Sequence, residues 1–388
     1  MGPDRLRVCS PHCGLAPETT SGGETYEREL LLALAALGVR LELILARGKP
    51  APEGVANVRV HRLPIRRGLR WPVARFLLPP YIKRVWDAAP FDVLRAHSLR
   101  FIGPAALAAR RRYGLDVPVI AHHHHLDPSP WNGLIDKRVL DGSDHVVTVS
   151  EFSRRQLAQE LGVRTEHVSV VAEGVDPKFV PAPRRPDLVE RYGLGGKTVA
   201  LFLGGLKSRK NLFLLLDVWR AVAAARPDAR LVIAGAGPLR ARLRARAERL
   251  GLAGRVVFTG YVSQAEQVAH YNLADVFFFP SALEGFGLAV AEAMACGLPV
   301  VASNRGSLPE VLVAGEGGFL CDPDAPATLV EKLLLLLADA PLREKLGRAN
   351  RERAARLYRW DRCARETLAI YERVVAAWRD AGRGAARR

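Results

Sequence analysis

Short apolar runs alternate along this chain with stretches whose apolar residues recur at helical spacing. In the first half, strands are predicted at residues 6–9, 41–45, 58–62, 93–96, 117–121, 145–149 and 168–171. Amphipathic helices are predicted between them at 25–37, 102–113 and 153–161. The pattern then breaks: Pro177-Lys-Phe-Val-Pro181-Ala-Pro183-Arg-Arg-Pro186 is too rich in proline for a core element and reads as a linker. It restarts with strands at 198–203, 231–234, 256–259, 276–280 and 300–302. Helical patterns there fall at 212–224, 239–250, 264–272, 288–295 and 331–338. Strand–helix alternation of this kind predicts α/β architecture, with mainly parallel sheets covered by helices on both faces. The expected division is a first domain over 1–178, a linker over 179–196, a second domain over 197–360 and a terminal helix over 361–380. That helix places Leu368, Tyr371, Val375 and Trp378 at helical spacing. The sequence leaves open whether it packs on the second domain or crosses back to the first.

Length and composition agree with two ordinary globular domains: 388 residues, 49% hydrophobic and 25% charged. No run of about 18 apolar residues predicts a membrane span, and the first residues lack the apolar core of a signal peptide. Five scattered cysteines argue for a reducing compartment rather than a disulfide framework, so a cytoplasmic location is expected. Cys9, His12 and Cys13 lie close together, but no second ligand pair follows at a zinc spacing. The formal charge is +17 and is unevenly placed: residues 59–112 hold thirteen Lys/Arg against two acids. Such a field favours an anionic partner, whether phosphate, acidic lipid or nucleic acid; a solvated arginine-rich surface is the competing reading.

The segment 277–302 carries the densest chemistry. A buried strand ends at Pro280, a short loop presents Glu284, and Gly285 and Gly287 allow close backbone approach to a ligand. A helix beginning near Gly287 and Leu288 would aim its N–H groups past the carboxyl ends of the strands, where doubly wound folds bind anions. Glu292 follows eight positions after Glu284. One carboxylate before the helix and one within it could hold sugar hydroxyls at opposite ends of a nucleotide sugar. Near the N-terminus, Ser21-Gly22-Gly23-Glu24 joins the first strand to the first helix and could leave N–H groups open to phosphate, or serve only as a turn.

The pair Glu284/Glu292 with Gly285-Phe286-Gly287 resembles the E-x7-E motif of retaining glycosyltransferases of family 4, which have the GT-B fold. Further segments resemble the same family in order and spacing over nearly the whole chain. Gly204-Gly205-Leu-Lys207-Ser-Arg209-Lys210-Asn211 resembles its diphosphate loop, and Leu231-Val-Ile-Ala-Gly235-Ala-Gly237-Pro238 its G-x-G-P turn. Val256-Val-Phe-Thr-Gly260-Tyr-Val262 resembles the segment that meets the nucleobase. Val149-Ser150-Glu-Phe-Ser153 and Glu173-Gly174-Val175-Asp176 resemble the end of its first domain.

The resemblance implies two Rossmann-like doubly wound domains facing a central cleft, with the acceptor on the first and the nucleotide-sugar donor on the second. It implies that Lys210 holds the donor diphosphate, with Gly22, Gly23, Gly204, Gly205, Arg209, Val262, Glu284, Gly285, Phe286, Gly287, Leu288 and Glu292 contacting the donor. Glu284 would bind the donor sugar and Glu292 the ribose hydroxyls. Two positions depart from the family. Gly205 stands where an arginine commonly follows the first glycine, so Arg209 or Lys207 would have to supply a second charge. Glu173 stands where asparagine usually precedes Gly-Val-Asp.

The run His122-His-His-His125 follows a predicted strand. Neighbouring side chains in an extended run point apart, which disfavours a metal site. The resemblance places one histidine of this region beside the reacting sugar; spacing from Pro118 favours His124, with His123 next, and His97 is a weaker candidate on the acceptor side. Retention could use a carboxylate nucleophile, but no first-domain carboxylate is marked for it. The resemblance implies front-face substitution, in which the departing phosphate oxygen takes the acceptor's proton. Lysine and a helix end can stand in for a metal on the diphosphate, and no D-x-D motif lies near the site, so neither metal nor other cofactor is expected.

The acceptor is left open among sugars, lipid-linked molecules and small molecules, as is the oligomeric state. Interleaved arginines and aromatics over 65–86, including Trp71, Phe76, Tyr81 and Trp86, could dock on an anionic membrane surface, or turn their rings to the core. Specific nucleic-acid binding is not expected, since no recognition motif supports it. The competing functions are a nucleotide-sugar epimerase on the same fold and a basic nucleic-acid-binding protein.

Overall fold

The computed structural model describes residues 6–16, 22–65, 74–124 and 130–386. The expectations placed on Ser21, on Trp71 and on His125 lie outside these residues. Chain contacts define two units. The first runs through Glu173 and takes in Trp360–Arg388, and the second is Gly174–Arg359.

The first unit contains β1 (Arg7–Pro11), α1 (Gly22–Ala36), β2 (Arg40–Ala46), β3 (Val58–Leu63), α2 (Ala74–Ala88) and β4 (Val93–Ala96). It continues with α3 (Gly103–Tyr113), β5 (Val119–His123), α4 (Pro130–Gly142), β6 (His145–Thr148), α5 (Glu151–Leu161) and β7 (Val168–Val170). Its strands pair in parallel in the order β3-β2-β1-β4-β5-β6-β7. The sheet is covered on both sides, so its central strands are buried throughout, as in β4 and β5. One covering layer packs Leu78, Ile82 and Val85 of α2 and Ala105, Ala106 and Ala109 of α3 against Cys9, Ile44 and Leu94. Each Leu, Ile or Val removed from water in this way contributes about 1.5–3 kcal/mol. That helical spacing of apolar residues carries α2 across Pro79 and Pro80, whose missing N–H groups would otherwise break it.

The second unit contains α6 (Pro186–Arg191), β8 (Thr198–Leu203), α7 (Leu212–Ala225), β9 (Ala229–Ala234), α8 (Arg240–Arg249), β10 (Val256–Gly260) and α9 (Gln264–Tyr271). There follow β11 (Val276–Phe279), α10 (Leu288–Ala295), β12 (Val300–Ser303), α11 (Leu308–Val311), β13 (Gly318–Cys321), α12 (Pro326–Ala338) and α13 (Ala340–Leu357). Its parallel sheet has the order β10-β9-β8-β11-β12-β13. The all-apolar run Val276–Phe279 is the signature of a strand covered on both faces, and all four residues are buried.

In each sheet the order reverses direction beside the first strand: β1 lies between β2 and β4, and β8 between β9 and β11. Loops leaving such a neighbouring pair diverge to opposite faces and open a crevice at their carboxyl ends. The polar clusters described below lie at these two places.

Several elements differ from the sequence reading. The segment 179–196, read as a linker, carries α6 and buries Leu188 and Leu194 completely. Pro186 opens that helix in its first turn, where a missing N–H is harmless. Strand β13 and helix α13 were not anticipated. β13 is a four-residue run too short to show a period, and α13 is rich in charge, with Leu346, Gly347, Asn350 and Ala354 as its buried positions. The last helix, α14 (Trp360–Ala386), packs on the first unit. Its Tyr371 is fully buried, Trp378 Nε1 donates to Asp116 Oδ1 at 2.8 Å, and Arg379 pairs with Asp92 at 2.6 Å.

Candidate functional site

In the second unit the loop after β8 runs through Gly204 (φ 156°) to a single 3-10 turn, Ser208–Lys210, and Asn211 in left-handed geometry (φ 54°) leads into α7. The G-x-G turn after β9 braces it. A Cβ on Gly235 would lie 2.0 Å from the Gly204 carbonyl oxygen, and one on Gly237 within 2.6–2.8 Å of the Leu206 backbone. Neither contact leaves room for a side chain, so this glycine pair is required for packing the loop that carries Lys210.

That loop meets the loop after β11 around one carboxylate. Glu284 is 5% exposed. Its Oε1 accepts from Lys210 Nζ at 2.6 Å and from the Ser281 hydroxyl at 2.5 Å, and its Oε2 accepts from Arg209 Nη1 at 2.9 Å. Arg209 also donates to the Leu283 carbonyl at 2.9 Å. Burial would raise the Glu284 carboxyl, but Lys210 and Arg209 outweigh it and hold the group below the usual carboxylate range. Burial lowers the Lys210 ammonium, with Arg209 adding to the effect and Glu284 opposing it. Lys210 Nζ also sits 4.6 Å over the Phe279 ring.

A third loop supports this arrangement from behind. Gly306 (φ 63°) approaches the Glu284 backbone so closely that a Cβ would meet its N and O at 2.9 Å. The Ser307 hydroxyl donates to the Phe286 carbonyl at 2.7 Å, and Ser303 donates to the carbonyl of Ser281. Helix α10 has no side-chain cap and starts after Gly287 in left-handed conformation (φ 102°), with Phe286 buried against Tyr358. Glu292, in the second turn, accepts from Tyr271 Oη at 2.7 Å. Val262, just past β10, is buried.

The structure therefore brings Lys210, Arg209 and Glu284 together and gives each of the two expected carboxylates its own support. Between the two cations considered as substitutes at Gly205, Arg209 is the one on the cluster, whereas Lys207 is exposed. Gly205 itself has room for a side chain: the nearest atom to a Cβ there is 3.8 Å away, an ordinary van der Waals contact.

The first unit carries a second polar cluster. Arg95, in β4, is fully buried and forms a two-point ion pair with Glu27 of α1: Nη2 donates to Oε1 at 3.0 Å and Nη1 donates to Oε2. Arg95 Nε donates to Tyr371 Oη at 2.9 Å, and Tyr371 in turn lies 2.7 Å from His122 Nε2. Burial lowers His122, reinforced by Arg95, so a neutral His122 accepts a hydrogen bond from the tyrosine hydroxyl. His12 and His97, at the ends of β1 and β4, stack with centroids 4.0 Å apart. Burial lowers both, His97 to about 4. Ligand-type atoms of His12, Glu27 and His97 lie within 4.8 Å of one another. Rings only 19° from parallel cannot both aim in-plane lone pairs at one ion, and Arg95 already takes both oxygens of Glu27, so these residues do not fit a metal.

The histidine run alternates as an extended strand must. His122 faces Tyr371, His123 turns toward the neighbouring β6 with Nδ1 3.2 Å from Thr148 Oγ1, and His124 reaches the acids Glu27 and Glu173. Gly22 and Gly23 open α1, and a Cβ at Gly22 would meet nothing within 4 Å.

Reading residue patterns missed Glu27, Arg95, Ser281, Tyr271 and the polar role of Tyr371. One signal was available: Arg95 interrupts the apolar run Val93-Leu-Arg-Ala96, and a charge inside a buried strand needs a buried partner. Nothing local marks Tyr271 or Ser281.

Two Rossmann-like units of parallel strands, the second with a glycine loop, two cations and a carboxylate at its switch point, define a GT-B glycosyltransferase. Residues 20–179 match the family model described as Glycosyltransferase Family 4, and residues 185–353 match Glycosyl transferases group 1. The GDP-mannose-dependent alpha-(1-6)-phosphatidylinositol monomannoside mannosyltransferase of Mycobacterium tuberculosis is 33% identical over 273 residues, 67% of this chain and 71% of that one. The mannosylfructose-phosphate synthase of Agrobacterium fabrum is 26% identical over 93% of this chain and 88% of its own. Among solved structures, the sucrose-phosphate synthase of Thermosynechococcus elongatus superposes with TM-score 0.80 at 23% identity, over 96% of this chain and 100% of that one. The chain belongs to glycosyltransferase family 4 and is a nucleotide-sugar-dependent glycosyltransferase.

Proposed function

We propose that this enzyme transfers a sugar, with retention, from a GDP- or UDP-sugar to a lipid-linked or other cell-envelope acceptor, without a metal. The observation that carries the donor assignment is the surplus of positive charge at Glu284: one buried carboxylate bonded by two cations. An arriving diphosphate satisfies Lys210 and Arg209 in place of Glu284, whose oxygens are then free to accept the hydroxyls of the donor sugar. Two cations also supply the charge that a divalent metal would otherwise place on the departing diphosphate. Glu292, oriented by Tyr271, is placed to accept the ribose hydroxyls. In the transfer, the acceptor oxygen bonds to the anomeric carbon as the bond to phosphate breaks, and the acceptor's proton passes to the released phosphate oxygen.

The GDP-mannose-dependent relatives make GDP-mannose the first donor to test. Thermal shift and calorimetry against GDP-, UDP- and ADP-sugars should give binding to one class, undiminished by EDTA. Binding to none, or binding unaffected by both Lys210→Ala and Glu292→Ala, overturns the site. Product analysis separates transfer from epimerisation: released nucleoside diphosphate with a glycosylated acceptor, against an isomerised donor. A salt-sensitive shift with arbitrary DNA and no nucleotide-sugar binding would favour the nucleic-acid reading.

A membrane-linked acceptor draws support from the first unit's surface. Phe76 in the first turn of α2 is 66% exposed, with Arg75 stacked 4.7 Å over its ring, and Leu134 of α4 is 63% exposed. Both helices follow strands of one parallel sheet, so both residues lie toward the carboxyl edge of that sheet. Trp86 and Tyr81 turn instead toward the core. We expect location at the cytoplasmic face of a membrane. Vesicle flotation should show binding to anionic but not neutral lipid, reduced in Phe76→Ser/Leu134→Ser.

A further inference from the structure

His124, the residue after β5, lies between two acids on opposite edges of its ring. Its Nε2 lies 3.3 Å from Glu27 Oε1 and its Nδ1 lies 3.7 Å from Glu173 Oε1, with a side chain 17% exposed. A neutral imidazole has one N–H and one lone pair. In either tautomer the lone pair would face a carboxylate, whereas an imidazolium turns an N–H to both. The surroundings support this reading. Arg95 keeps Glu27 ionised, holding it well below the carboxylate range against the opposing effect of burial. The His124 and Tyr26 rings meet edge to face with centroids 4.5 Å apart, a contact that offers no proton acceptor of comparable strength. His122, on β5 itself, and His97 and His12, just past β4 and β1, are kept neutral mainly by burial and do not compete for the proton. Cys363, on α14, has its thiol pushed up by burial and by Glu173, and so adds no charge.

We propose that Glu173 is a positioning residue which, with Glu27, fixes His124 as an imidazolium, so that His124 brings sugar transfer a permanent positive charge and cannot serve as its proton acceptor. The protonation state follows from the first unit alone; the catalytic consequence rests on the transferase reading above, with His124 beside the reacting groups. Burial opposes the charge on His124, but the two glutamates outweigh it and raise the group to about 9.

The test separates the two parts. In the full chain, the imidazole carbon-bound proton of His124, assigned with His124→Asn, should titrate near pH 9 by NMR. In Glu173→Gln the midpoint should fall by about 1–3 pH units, and Glu173→Asp should restore most of it. A wild-type midpoint at or below 6.5 overturns the proposal, whether or not the variants fold and whether or not a donor has been found. For catalysis, the wild-type rate should stay level from pH 6.5 to about 8.5, while Glu173→Gln loses activity within that window. A wild-type rate that rises through pH 6.5 as His124 loses its proton would make it a base and overturn the second part.

Discussion

Each unit buries an arginine or lysine against a glutamate at the switch point of its sheet, and the two clusters are built to opposite ends. In the first unit cations and carboxylates balance: Arg95 and His124 stand against Glu27 and Glu173, with Arg95 and Glu27 forming the buried two-point pair. Both side chains are almost wholly buried, and the guanidinium is further committed to Tyr371. In the second, Lys210 and Arg209 share a single carboxylate, and the Arg209 side chain is 31% exposed. A matched buried pair has no reason to bind anything else, because its desolvation is already compensated by its own geometry. A pair of cations on one carboxylate has unspent positive charge, and a diphosphate is the partner we propose for it. On that proposal the same chemistry serves as framework in one unit and as binding site in the other, and the ratio of charges distinguishes them.

The sharpest way to break this comparison is Arg95→Met. If the first cluster is framework, the variant leaves Glu27 with only its contact to His124 and loses about 3–5 kcal/mol of stability in denaturant unfolding, while nucleotide affinity measured under folded conditions is retained. A stable protein with weakened nucleotide binding would place Arg95 in the wrong category. Lys210→Ala should do the reverse. Arg209 and Ser281 remain on Glu284, so the fold persists, but donor affinity by calorimetry should fall by about 2–4 kcal/mol, or roughly 30- to 700-fold.

Tyr271→Phe tests the support of the other carboxylate and should cost about 0.5–1.5 kcal/mol of donor binding, roughly 2- to 10-fold, with little change in melting temperature. It also marks how far the sequence could be read. The strands with long apolar runs, such as Val276–Phe279, were legible because covering both faces of a parallel sheet leaves no polar alternation to confuse them. Lys210 and Glu284 were legible because glycines cluster around them, and the structure shows a close backbone approach at Gly204, Gly235 and Gly306. Tyr271 was not, since a tyrosine near the end of an amphipathic helix looks the same whether its hydroxyl meets water or a carboxylate 21 residues away. The meaning of Glu173 was hidden for the same reason: its contact with His124 spans the fold, and only the departure from the family's asparagine was visible. Helix α13, with few buried positions, had no apolar stripe to read.

The smallest effect concerns Gly205, where the family commonly has arginine. Nothing obstructs a side chain there: the nearest contacts to a Cβ are Lys207 carbons at 3.8 and 3.9 Å, and Gly205 does not require left-handed backbone. The vacancy is therefore a matter of charge, and Arg209 is the group proposed to answer it. If Arg209 is already the second phosphate-binding cation, Gly205→Arg adds a third charge to a diphosphate already matched by two. Affinity should then rise by no more than about threefold, a gain that shrinks with salt as an exposed charge does. If Arg209 only ties down the Leu283 carbonyl and Glu284, the new arginine would be the missing ligand, and affinity would rise by an order of magnitude or more. Combining Gly205→Arg with Arg209→Ala decides between them. Rescue of a weakened Arg209→Ala protein by the arginine at 205 means the two positions serve the same phosphate, with their effects on binding far from additive.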